Sequence, residues 1–471
     1  MAAVPARRAL SAGLLCVARL SVSTLSPVAV ARGVVLLLWL LALHNTLAGR
    51  ALFWDGASFL VNLLDHAHFH DFYAARAHVD WVTQAPVLVL AKLGVRDTRL
   101  LTMVYSAALF ALPTAFYHLA LMRVRRDPVL LSAVLAIVAA VYLPTSFFIV
   151  GEYNVAFACI TATMAVVLTT GDRSRGDAAL LLAFGLLCLR SYEAMIYLGP
   201  LMAAAILWSM RKCDDAPTRA LRGLAAIAFV GGALISAITI VDYWDHPHFM
   251  KVRSTSVDFW QNMQFCIPLA GFLICAVAGI RRPAWLQGRG PMVVMGVITL
   301  LLAVSPWWRI VHGPSILYPP SHYVARQAAG MLLAALLVGM WVQVARRDPP
   351  AIFAVVRRPE VARRMMLALA ALTVAASVPD VALTRLWAGY IERLRIVVDG
   401  ANGLVRAETL PLHDWPNKLF FQDWSYPALS AIVSRSPGRA YVVSDQDYLS
   451  NPPFEPACGL LPRLKGYGWR T

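Results

Sequence analysis

The sequence predicts an all-α polytopic membrane protein, and three observations carry that prediction. Hydrophobic residues fill 59% of the 471 positions and charged residues only 14%, with a mean hydropathy of +0.62, outside the range of a soluble globular chain. Apolar runs long enough for a hydrocarbon core of about 30 Å recur along most of the chain. The loops between them alternate in character. Arginine clusters such as Arg123/Arg125/Arg126, Arg281/Arg282 and Arg357/Arg358 occupy one set, and acids, histidines and tryptophans the other, which is the positive-inside signature. The net charge of +16 is therefore a statement about topology, and no nucleic-acid partner is expected.

Taken in order, the expected spans are 28–47, 100–121, 129–150, 155–170, 178–189, 194–210, 224–241, 267–280, 292–307, 328–345 and 365–378. That makes about eleven transmembrane helices, with a cytoplasmic N-terminus and an extracytoplasmic C-terminus. The first run, preceded by Arg7 and Arg8 and followed by Ala48-Gly49, could mimic a cleaved signal peptide. Its length and the spans after it favour a retained signal anchor. The stretch 177–210 is apolar except for Arg190-Ser191-Tyr192-Glu193. One helix of that length would span about 50 Å and place an arginine cluster outside, so two short helices turning at the outer surface are expected. The seven cysteines form no CxxC pair and suggest neither a disulfide framework nor a metal site.

Two regions follow from this reading: a transmembrane bundle over 1–383, with a first outer loop at 50–99, and a small extracytoplasmic cap over 384–471. In the cap Tyr441-Val442-Val443 reads as a short strand and Asn451-Pro452-Pro453 as a turn. Trp54, Trp81, Trp244, Trp260, Trp307 and Trp308 gather on the outer side, as an interfacial belt does.

The first outer loop opens with Trp54-Asp55. An acid at the mouth of a membrane bundle costs free energy unless it has a task or a partner. Over 57–67 the residues Phe59, Leu60, Leu63 and Leu64 share one helical face, with Ser58, Asn62, Asp65 and His66 opposite; this is an interfacial helix with a wet side. Gln84-Ala85-Pro86 and the apolar stretch 87–93 come next. Further on, Gly151-Glu152-Tyr153-Asn154 leads into a span, a short basic turn follows at 171–176, and 181–190 precedes Tyr197-Leu198-Gly199-Pro200-Leu201.

This succession resembles the GT-C superfamily of polytopic glycosyltransferases, especially its dolichyl-phosphate-mannose protein mannosyltransferase and aminoarabinose transferase branch. The resemblance covers 32–210, and beyond it only the general layout is similar. Here Asp55 is followed by Gly56 where many members carry a second acid, and the proline segment has one proline, not two.

The resemblance implies transfer of a sugar from a polyprenyl-phosphate donor to a glycan, lipid or protein acceptor on the outer face, with inversion at the anomeric carbon. Asp55 is then the general base that takes the proton of the acceptor hydroxyl; its alternative role is to cap the helix starting near Gly56. Glu152 would orient the acceptor or hold a cation, or be a solvated loop acid. Arg190 beside Tyr192, and Arg309 and Arg326 flanking a loop with His312, Tyr318 and Tyr323, are candidates for the donor phosphate; each arginine could equally snorkel. His66, His68, His70, Asp71 and His78 suggest metal ligands only weakly, since alternate histidines point different ways. No metal site is assigned, no cofactor is expected with certainty, and a divalent cation is left open.

Two other functions compete: a glycan polymerase or ligase, and a lipid-linked sugar transporter or flippase. A transporter is expected to show internal repeats, and none is visible. The Ala- and Arg-rich composition points to a bacterium of high genomic GC content, hence to an inner (plasma) membrane and an undecaprenyl or decaprenyl carrier.

Overall fold

The computed structural model describes residues 25–470 except 71–72, 148–150, 170–174, 212–214, 248, 251–253, 255, 313–323, 347, 349, 411–416, 421–424, 438, 445–463 and 465. Nine helices among the described residues are long and apolar enough to cross a membrane, which makes this a multi-pass membrane protein. α1 is Pro27–Leu47, α2 Asp55–His66, α3 Ala77–Lys92 and α4 Thr98–Val124. α5 is Pro128–Ile137, prolonged by a π-helical segment Val138–Tyr142 and a 3-10 turn Leu143–Thr145. Then come α6 Glu152–Thr169, α7 Arg175–Cys188, α8 Met195–Met210, α9 Ala216–Asp242, α10 Met263–Arg281, α11 Gly290–His312, α12 Arg326–Ala345, α13 Ala351–Val356 and α14 Pro359–Gly400.

Helix starts follow local chemistry. Ser26 accepts from the Ala29 N–H at 3.2 Å, Asp127 from Val129 at 2.9 Å and Asp215 from Thr218 at 3.2 Å. Each supplies an acceptor to an otherwise orphaned N–H of a first turn that has a proline at its first or second position.

Each of the eleven expected segments overlaps a helix among the described residues, with α7 and α8 the two short ones. Their directions follow from their contacts with α9. Arg175 pairs with Asp215 at 3.3 Å, and Ser236 Oγ donates to the Tyr192 carbonyl at 3.1 Å, so α7 runs parallel to α9. Arg222 donates to Ser209 Oγ at 2.7 Å, and Gly199 lies against the Phe229 carbonyl, so α8 runs antiparallel to α9. A side chain at Gly199 would strike that backbone, and its absence permits the close approach. The chain therefore reverses at 189–194. Arg123, at the end of α4, bonds Asp177 at 2.5 Å, which brings that arginine cluster to the same end of the bundle as Arg175 and Arg211.

The last long helix departs from expectation. The sequence reading gives a span over 365–378, and Pro379 just past it is a residue that normally stops a helix. Instead α14 continues through Pro379 to Gly400, 42 residues or about 63 Å, twice the membrane core. Past the proline, Leu383, Trp387, Tyr390, Ile391, Leu394 and Val398 are buried at helical spacing, so a second amphipathic helix is fused to the span. The boundary at 383/384 lies inside α14. Beyond it β1 (Gly403–Arg406) pairs in parallel with β2 (Ala440–Val443), and α15 (Tyr426–Val433) lies between them in sequence. Tyr441-Val442-Val443 is thus strand, while Asn451-Pro452-Pro453 lies outside the described residues.

Two cores result. One fills the bundle; the other joins Phe59, Leu60, Leu63 and Leu64 of α2 to Trp387 and Tyr390 of α14 and to Leu429 and Ile432 of α15. Between them sits a buried polar knot. Arg50 bonds Asp380 at 2.7 Å, with exposures of 0% and 3%, and also donates to Thr384 Oγ1 at 3.0 Å and the Ser146 carbonyl at 2.7 Å. Ser146 Oγ and Asn45 Nδ2 donate to the same carboxylate at 2.9 and 3.4 Å.

Asp380→Ala strands a buried guanidinium and is expected to cost about 3–5 kcal/mol, read as a lowered Tm of the purified protein. The double variant Arg50→Met/Asp380→Leu should regain most of that loss, because no charge is left uncompensated. A double variant no more stable than the single one would remove the ion pair from this role.

Candidate active site

The turn that follows α1 delivers Asp55. Gly49 takes a left-handed φ of 61° and its carbonyl accepts from Trp387 Nε1 at 3.4 Å. Phe53 is buried edge-on against Phe147 and Trp387, with ring centroids at 5.1 and 5.4 Å. Trp54 then adopts φ 54°, ψ −120°, a glycine-like conformation that a tryptophan holds only at a cost of order 1–3 kcal/mol. Its ring stacks on Phe53 at 5.3 Å. Asp55 is the first residue of α2, and no side-chain hydrogen bond caps that helix. Its carboxyl therefore meets the helix end through the dipole and not through a capping bond.

Charged groups from distant parts of the chain surround it. Glu152 opens α6, after Gly151 at φ 57° turns the chain. Arg76 ends a 3-10 turn, Ala74–Arg76, in the first loop. Its Nε donates to Glu193 Oε1 at 2.7 Å and its Nη1 lies 3.4 Å from Glu152 Oε1. The guanidinium sits 4.7 Å from the Tyr73 ring centroid and 5.4 Å from that of Tyr192. Arg326, 4% exposed, opens α12 with its guanidinium 6.0 Å from the Tyr192 ring. A buried cation at a helix N-terminus opposes the helix dipole, so it needs nearby acids; Glu152 and Asp55 are both within its electrostatic reach.

Asp55 is half-buried, and its carboxyl is pushed up to about 7. Burial is the main cause and Glu152 adds to it, while Arg76 and then Arg326 pull the other way. For Arg76, burial works against the charge, but Glu193 and then Glu152 outweigh it and raise the group above the ordinary arginine range. The arrangement offers a proton acceptor poised at neutral pH beside two guanidinium groups that suit a phosphate.

Of the seven residues expected from sequence, Asp55, Glu152, Tyr192 and Arg326 come together. Arg190 stands in the same turn as Tyr192. Its carbonyl accepts from the His78 N–H at 3.0 Å, and its half-buried side chain forms no hydrogen bond or ion pair among the described residues. Arg309 falls in the last turn of α11, and Tyr323 lies outside the described residues. Sequence reasoning missed Arg76 and took Glu193 only as a turn residue. The available signal for Arg76 was its sign: an arginine in a loop expected on the outer side contradicts the positive-inside pattern.

His66, His68 and His78 spend Nδ1 on the backbone carbonyls of Asn62, Phe69 and Leu186, at 3.0, 2.6 and 2.7 Å. Among the described residues no group of three or more His, Cys, Asp or Glu could share a metal ion. Comparison with protein-family models, curated proteins and solved structures gives no match, so the reading of the site rests on its geometry.

Because the folded state raises the Asp55 carboxyl, ionising it costs stability. Its contribution is most favourable below the ordinary carboxylate range and declines as pH rises through about 7. Asp55→Asn removes the penalty. Its Tm advantage over the wild type should be absent at pH 4 and present at pH 8; a constant difference across that range would contradict the raised carboxyl.

Proposed function

We propose that this protein transfers a sugar from a polyprenyl-phosphate donor to an acceptor hydroxyl at the outer face of the membrane, with Asp55 as general base. The observation that carries the reading is an acid poised near neutrality, free of any capping bond, beside two guanidinium groups at one end of the bundle. As the acceptor oxygen attacks the anomeric carbon, Asp55 takes its proton. The bond from that carbon to the phosphate oxygen breaks, and the lipid phosphate leaves with its charge facing Arg326 and Arg76. Attack opposite the leaving group inverts the anomeric centre. Glu152 and Glu193 hold Arg76 in place, and the Tyr192 ring lies 5.4 and 6.0 Å from the two guanidinium groups.

The distribution of charge supports the orientation. Arg123, Arg175 and Arg211 share the end away from Asp55, which on the positive-inside rule faces the cytoplasm of a bacterial inner membrane. On that reading α7 and α8 form a pair of short crossings, giving eleven in all. The sugar acceptor is a glycan, lipid or protein of the cell envelope.

The test is a deletion strain complemented with wild type or Asp55→Asn, with surface glycans and lipid-linked sugars followed by mass spectrometry. The wild type should restore a missing sugar, while well-expressed Asp55→Asn leaves the lipid donor accumulating; full restoration by Asp55→Asn would move transport ahead of transfer. In the purified enzyme, kcat/KM should rise with pH through about 7. Glu152→Gln removes a group that raises the Asp55 carboxyl and should move this limb to lower pH, whereas Arg76→Gln should move it higher. Shifts in the same direction would sink the assignment of the limb to Asp55.

A further inference from the structure

The opposite end of the bundle holds a cavity of about 340 Å³ between α5, α10, α11, α12 and α14. Apart from Ser132, Cys275, Gln343 and Arg364, its lining side chains are apolar. It reaches inward from Gln343 to Ala335 along α12, eight residues or about 12 Å. So apolar a space offers water few partners; its size and shape suit a segment of hydrocarbon chain.

The mouth is cationic. Arg358 donates to Gln287 Oε1 at 2.6 Å, Arg364 to the Gln287 carbonyl at 3.1 Å and Arg357 to the Gln343 carbonyl. Three guanidinium groups thus converge on neutral glutamines. Arg282, Arg289 and Arg363 stand exposed on the same segments. The acids on these segments are Asp348 and Glu360; Glu360 is 85% exposed and lies 3.7 Å from Arg364. The positive charge at the mouth therefore far exceeds the negative.

We infer that this end carries a binding site for one anionic membrane lipid, with an acyl chain in the cavity and its phosphate against Arg357, Arg358 and Arg364. An apolar slot that opens at headgroup level onto unbalanced arginines matches such a lipid in both of its parts. A zwitterionic lipid would satisfy the slot but leave the arginines unneutralised. The site lies at the far end of the bundle from Asp55 and does not depend on the chemistry proposed there.

One position gives a clean probe. Gly339 lines the cavity, and a Cβ added there meets nothing within 4 Å. Gly339→Leu therefore fills the space without displacing backbone and improves helix propensity. The full chain in detergent would be incubated with phosphatidylglycerol or with phosphatidylcholine of the same chains, and bound lipid counted by native mass spectrometry. The wild type should retain one phosphatidylglycerol, at least about tenfold in preference to phosphatidylcholine, the scale that two or more interfacial arginines provide. Gly339→Leu should lose that retained lipid, and Arg357→Gln/Arg364→Gln should lose the preference. Equal retention of both lipids by the wild type, or undiminished phosphatidylglycerol on Gly339→Leu, would overturn the proposal.

Discussion

The buried ion pair between Arg50 and Asp380 ties the turn after α1 to the middle of α14, between the two cores. Two charges taken out of water are costly unless their geometry is good and their remaining donors and acceptors are used. Here Asn45, Ser146 and Thr384 supply partners to all but the Arg50 Nε, so three separate segments must arrive together for the pair to be tolerated. Arg50 is five residues before Asp55, and the turn between them is held by Trp387 and Phe147. The placement of Asp55 thus depends on α14 passing through Pro379 and continuing to Gly400.

A second constraint is the charge balance around Asp55. Glu193 and Glu152 engage Arg76, and Arg326 faces Glu152 and Asp55. The arginines offset the acids only partly, and burial leaves the Asp55 carboxyl raised. A carboxyl raised to about 7 is what the proposed transfer asks of its general base. The strained Trp54 backbone immediately before it shows that the surrounding packing over-determines this turn.

Much of the bundle was legible from the sequence, because apolar length and arginine clusters are governed by the bilayer and not by neighbours. The reversal at 189–194 could be read from two basic clusters that cannot both face outward. Asp55, Glu152 and Arg326 were visible as charges at the ends of apolar runs, where charge is expensive. Arg76 was not, because it sits in a short 3-10 turn whose local sequence, Tyr73-Ala74-Ala75-Arg76, carries no helical or catalytic pattern; only the fold brings it to Glu152 and Glu193. The outward extension of α14 was missed because Pro379 is a strong local stop signal, overridden here by a buried face from Leu383 to Val398 packed on the first loop and α15.

The central claim is that Asp55 is a carboxyl poised near neutral pH. The most direct test is a carbon-13 NMR titration of protein labelled at the aspartate side-chain carboxyl, with Asp55→Asn used to assign the signal; Glu152 and Glu193 are silent in such a sample. The account predicts a resonance with a midpoint near 7 that vanishes in the variant. A midpoint in the ordinary carboxylate range near 4 would contradict it.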